Sequence, residues 1–145
     1  MTNRSGRLWT SRVLAFVFTA LLSTSAFAGY FKTQGGSFTG DEVDNRNIAL
    51  TGSLPQPMTP DAVFIKCDCG QRGVGWTSTM GTNYAKDMYD NTALEPDLIQ
   101  GAYYGGFQVG TAARANNSGS TIYFQAFQSD TSNMVVGRYT GNGTN

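Results

Sequence analysis

Residues Tyr104 to Phe127 read YGGFQVGTAARANNSGSTIYFQAF. Phe107 and Val109 alternate with Gln108 and Gly110, and Ile122, Phe124 and Ala126 alternate with Tyr123, Gln125 and Phe127. Period-two alternation of aromatic and β-branched residues marks a strand with one buried face. Between the two runs, Asn116-Asn117-Ser118-Gly119-Ser120 is polar and turn-forming, because Asn and Gly tolerate positive φ. The expectation is a hairpin at the centre of a β-sheet core.

Working outward, Gly29 to Thr33 and Ser37 to Gly40 read as short strands separated by Gly35-Gly36, and Arg46 to Leu50 as another. Thr51 to Pro60 carries Pro55, Pro57 and Pro60, which excludes both helix and central strand. Asp61 to Lys66 (DAVFIK) is the clearest strand, and its continuous apolar run fits a sheet centre or burial on both faces. A return strand should end at Trp76. Ser78 to Gln100 has no clean period; one helical turn near Leu94 to Ile99 is the most that Pro96 would allow. Met134 to Tyr139 (MVVGRY) reads as a further strand. No segment sustains helical periodicity, and eighteen glycines among short strands predict an all-β antiparallel β-sandwich, jelly-roll or lectin-like.

The first 28 residues stand apart. Arg4, Arg7 and Arg12 precede the apolar run Val13 to Leu22, which is too short to span a membrane comfortably, and Ala26-Phe27-Ala28 has the small-x-small form of a cleavage site. A cleavable signal peptide over 1–28 is expected, with export from a bacterium to the periplasm, the cell surface or the medium. No later stretch is apolar enough to cross a bilayer. The whole chain has a formal charge of zero, but the mature part carries seven basic against ten acidic side chains, a net −3. Such a chain lacks the basic footprint of a nucleic-acid binder.

The C-terminus repeats the beginning. Gly36-Ser37-Phe38-Thr39-Gly40-Asp41 aligns with Gly137-Arg138-Tyr139-Thr140-Gly141-Asn142 at a constant offset of 101 residues, and Asp44 aligns with Asn145. Repeats at a fixed period signal arrays. The expected organisation is a β-sandwich module over 29–133, followed by residues 134–145 as the truncated start of a second repeat or a C-terminal edge strand.

The motifs G-x-F-T-G-x-x-x-D-N-R-x-I (Gly36 to Ile48), P-D-x-V-x-I-K (Pro60 to Lys66), G-F-x-V-G (Gly106 to Gly110) and N-x-S-G-x-x-I-Y-x-x-A-F (Asn116 to Phe127) follow one another in order. In this the chain resembles an uncharacterised β-rich repeat domain of phage tail-fibre-like and secreted or surface bacterial proteins, often found in tandem. The resemblance covers residues 36 to 127. It implies a β-sandwich displayed outside the cell for attachment, and it brings no catalytic residues. The chain departs from the pattern in Pro55-x-Pro57 and in Cys67-Asp68-Cys69.

Chemistry is sparsely provided for. The chain has no histidine, which removes Ser-His and Cys-His catalysis and the commonest zinc ligand. Asp87, Asp90, Glu95 and Asp97 are the carboxylates a glycoside hydrolase would need, though solvated loop acids would look the same. Asp41, Glu42 and Asp44 are either a calcium loop or an ordinary Asx-type turn. Cys67 and Cys69 are expected to form a local disulfide in an oxidising compartment, helped by a bend at Asp68. Trp76, Tyr84, Tyr89, Tyr103 and Tyr104 offer flat rings for stacking on sugars, with the core as the alternative place for Trp76. The functional expectation is a non-catalytic exported module for surface attachment, with an extracellular glycan or polymer as ligand. A structural fibre or appendage subunit assembling by strand addition, and a secreted glycoside hydrolase, are the alternatives.

Overall fold

The computed structural model describes residues 32–52, 57–89, 93–130 and 133–143. The expected signal peptide, Pro55, Asp90 and Asn145 lie outside the described residues. Nine strands and one short helical turn follow in order: β1 (Lys32–Thr39), β2 (Arg46–Ala49), β3 (Ala62–Cys67), β4 (Val74–Thr77), β5 (Tyr84–Asp87), β6 (Glu95–Pro96), β7 (Ile99–Tyr103), β8 (Gly106–Val109), α1 (Ala113–Asn116) and β9 (Thr121–Gln128). They form two antiparallel sheets, one of six strands in the order β1-β9-β3-β4-β5-β6 and one of three in the order β2-β8-β7. The chain is therefore all-β and sandwich-like.

The alternation seen in the sequence places the core. Val63, Ile65 and Cys67 on β3, Val74 and Trp76 on β4, and Ile122, Phe124 and Ala126 on β9 point inward from the large sheet. Ile48, Ile99, Phe107 and Val109 meet them from the small sheet, and Met58 and Leu98 close the space from loops. β3 does lie inside its sheet, between β9 and β4, but it is buried on one face only: Phe64 and Lys66 are exposed.

The hairpin expected from Tyr104 to Phe127 does not form. Both runs are strands, but β8 pairs with β2 and β7, whereas β9 pairs with β1 and β3 in the other sheet. Both edges of β8 are occupied, and the connection carries the α1 turn, so the chain crosses from one layer to the other. Three smaller expectations also change. β1 runs unbroken through Gly35-Gly36, because these glycines lie under the Gln125 and Phe124 side chains of β9. Leu94 to Ile99 makes no helical turn; Glu95 and Pro96 add a short sixth strand beside β5. Met134 to Tyr139 is not a strand. Met134 makes one isolated bridge to Asp130, and Val135 and Tyr139 are exposed. The aperiodic stretch from Ser78 to Gln100 holds β5, β6 and the start of β7.

Candidate functional site

Buried polar side chains come first, because they fix the loops around the sheets. Asn116, fully buried at the end of α1, accepts from the Asp41 backbone N–H at 3.0 Å and from Arg46 at 3.3 Å. Its amide nitrogen donates to the Val43 and Gly110 carbonyls at 3.0 and 3.1 Å. Its side-chain amide ties both the β1–β2 loop and the exit of β8 to α1. The acidic loop is shaped by the same contacts. Asp41 accepts the Val43 N–H and pairs with Arg46, and these contacts hold its carboxyl below the usual carboxylate range. Glu42 turns to the Ser118 N–H, and Asp44 to Asn45 and to the Gln100 amide. The three carboxylates thus serve different partners. Among the described residues no group of three or more His, Cys, Asp or Glu side chains could hold a metal ion.

Two of the candidate hydrolytic acids, Asp87 and Glu95, are likewise occupied. Asp87, buried at the end of β5, accepts the Tyr89 backbone N–H at 3.0 Å and Arg114 at 2.5 Å, with Arg72 3.7 Å away. The Tyr89 N–H, then the two guanidinium groups, hold its carboxyl below the usual range. Arg114 reaches from α1 and also pairs with Glu95; these partners, Glu95 first, push its own pKa up. Asp87 is therefore a fixed anion, the opposite of a general acid, whose pKa must be raised. Asp97 adopts φ +58° in the turn before β7. Asp90 lies outside the described residues.

The aromatic residues expected to form one site are spread over the molecule. Trp76 is a core residue, 5% exposed, its indole N–H donating to the Gly81 carbonyl at 3.2 Å. It faces inward from β4. Tyr84 and Tyr89 are exposed at opposite ends of β5, and Tyr89 stacks over the Arg72 guanidinium at 4.1 Å. Tyr103 and Tyr104 sit at the β7–β8 turn of the other sheet, Tyr104 exposed and Tyr103 half-buried, where desolvation raises its phenol pKa. Cys67 and Cys69 form a disulfide with Cα atoms 5.2 Å apart. The bend at Asp68 brings them closer than two residues of an extended strand, which would stand roughly 6.6 Å apart.

A coherent surface exists elsewhere, on the outer face of the six-stranded sheet. Ser37, Tyr123 and Lys66 stand in one row across β1, β9 and β3. The next row is Gly35, Gln125, Phe64, Gly75 and Lys86, reaching β5. Phe127 meets Phe64 edge to face, centroids 6.0 Å apart. Phe64 lies over Gly75, where a Cβ would come within 3.1 Å of the ring. Tyr123 is 55% exposed and Met88, beside the same strip, 62%. This face carries aromatic rings interleaved with amide and ammonium groups. The sequence signal was present: Phe64, Tyr123 and Phe127 are the out-of-phase aromatics of two alternating strands. Comparison with protein-family models, with curated proteins and with solved structures finds no match for this chain.

Proposed function

We propose that the mature chain is a non-catalytic, exported β-sandwich module, jelly-roll or lectin-like in its layering, that serves surface attachment outside a bacterial cell by binding an extracellular glycan or polymer. The observation that carries this is the outer sheet face, where Tyr123, Phe64 and Phe127 stand together with Gln125 and Lys66. Aromatic faces stack on the apolar side of sugar rings, while adjacent amides and ammonium groups bond their hydroxyls. The leader-like first 28 residues and the resemblance to phage tail-fibre-like and surface repeat domains support the setting. The fixed charge on Asp87 and the missing histidine weigh against hydrolysis. A glycan array probed with residues 29–145 tests the reading. Binding is expected, and Tyr123→Ala should abolish it while leaving the fold intact. Trp76→Ala should instead unfold the protein. A wild-type chain that binds no glycan or polymer would remove the proposal.

The second reading, a fibre or appendage subunit joined by strand addition, is favoured by one observation. A Cβ at Gly36 would lie 2.7 Å from the Phe124 ring, and one at Gly40 would collide with the Asn117 carbonyl. These two glycines of β1 and its exit recur in the tail as Gly137 and Gly141. The tail thus keeps the small residues that a β1-type strand needs beside a β9-type partner. β1 is also an edge strand among the described residues, and edges accept strands. Light scattering of residues 29–145 against a chain shortened to 29–133 tests this: assembly that needs the tail supports it, and assembly unchanged without the tail rules it out.

A further inference from the structure

β9 lies between β1 and β3, and two segments of this chain fit the edge that β1 covers. Laid over β1 at the offset of 101, residues 133–142 bring Val135, Gly137 and Tyr139 to the positions of Gln34, Gly36 and Phe38, which pair with Ala126, Phe124 and Ile122. The position of Gly36 admits no side chain, because a Cβ would lie 2.7 Å from the Phe124 ring, and Gly137 brings none. Phe38 meets the Phe107 ring and the Arg46 guanidinium, and Tyr139 brings another aromatic ring. Gly141 answers Gly40, whose N–H and C=O bond to Ser120 and Gly119. Val136 falls on Gly35, where a Cβ would press first on the Gln125 amide. That amide is held by Thr33 of β1 and is released when β1 leaves. In the tail itself Val135 and Tyr139 are 79% and 92% exposed, in the phase that β1 turns inward, and residues 135–140 join no strand. Nor does the tail fold back on its own β9. In this register it would turn within residues 129–132, but the Ser129 N–H and O–H donate to the Asp61 carboxylate on the β3 side of β9, and Asp130 closes a turn of its own on Met134.

We propose that residues 133–142 of one chain take the place of β1 on β9 of a second copy, so that copies join head to tail by exchange of a strand. The inference rests on the strand-addition reading above and names the acceptor: β9 with β1 displaced, not the outer edge of β1. Backbone bonds lost by β1 are regained by the tail, so side chains decide the balance. Valines in place of Gln34 and Gly35 favour the tail, because β-branched residues suit a strand and glycine weakens one. The contact is heterologous, so each joined copy still offers its own tail to the next.

Light scattering of residues 29–145 at rising concentration reads the assembly, and paired cysteines read its register. Ser37 and Tyr123 are partners across β1 and β9, so Ser37→Cys with Tyr123→Cys staples the two strands by a disulfide. The staple should abolish assembly, and reductant should restore it. Assembly that persists with the staple closed would overturn the proposal and leave addition at the β1 edge standing. A second measurement does not need the stapled variant. Mixing an Arg138→Cys chain with a Tyr123→Cys chain should give an interchain disulfide, because Arg138 takes the position of Ser37. Tyr139→Cys, whose side chain would then face the core, should give none. A disulfide closed within one chain that carries both Arg138→Cys and Tyr123→Cys would put the tail on its own β9, and the proposal would be wrong. A chain that stays monomeric, or assembles equally without its tail, would take the strand-addition reading down as well.

Discussion

The rings of Phe107 and Phe124 meet edge to face with centroids 5.2 Å apart, one from the three-stranded sheet and the other from the six-stranded. Phe38 of β1 also meets Phe107, centroids 6.4 Å apart, so one fully buried ring joins both layers. Phe107→Ala would remove that ring from a site that cannot collapse without moving a sheet. It should cost about 3–5 kcal/mol. Urea unfolding should show a lower midpoint; Tyr104→Ala, exposed nearby in sequence, should shift it little.

Asn116 predicts a second loss of a different kind. Asn116→Ala removes few apolar contacts but strands the Val43 and Gly110 carbonyls and the Asp41 N–H. Unsatisfied buried groups cost about 1–3 kcal/mol each, so a loss of roughly 2–4 kcal/mol is expected. Hydrogen exchange should locate it: the Asp41 amide, which bonds to the Asn116 side chain, should lose protection before those of β3 do.

The pairing of Asp87 with Arg114 sets a pH dependence. The Asp87 carboxyl titrates below its ordinary value of 3.8 in the folded protein, so its contribution is fully present above that value and is lost as pH falls through the lower, folded one. Arg114→Met should therefore destabilise the protein at neutral pH, and the gap to wild type should narrow below about pH 4 as Asp87 takes up its proton. Thermal melts at pH 7 and pH 3 check the sign; a gap that widens in acid would contradict the pairing.

Cys67 and Cys69 close a loop too short to constrain the unfolded chain much. Replacing both by Ser should cost only about 1.5 kcal/mol. The protein should stay folded in reducing buffer, as near-UV circular dichroism would show.

Much of this architecture was legible from residues alone, for a physical reason. The side-chain period of a strand is local, so Val63/Ile65 against Phe64/Lys66, and Ile122/Phe124/Ala126 against Tyr123/Gln125, declare both a strand and its buried face without reference to a partner. Breakers are equally local, and no strand crosses the described residues of the proline segment. What the sequence could not declare was pairing. β8 and β9 are neighbours along the chain with matching patterns, yet each buries its phenylalanine against the other from opposite layers, an outcome that depends on which of them β1, β2, β3 and β7 pair with. The same holds for the side chains of function. Trp76 looks like a ligand platform until β4 turns it inward, and Asp87 looks like an acid until α1 delivers Arg114. Tyr123 and Phe64 become one surface only because β9 and β3 lie side by side in register. Alternation is written in neighbouring residues, whereas partners come from contacts tens of residues apart, and those form only when the whole chain closes on its core.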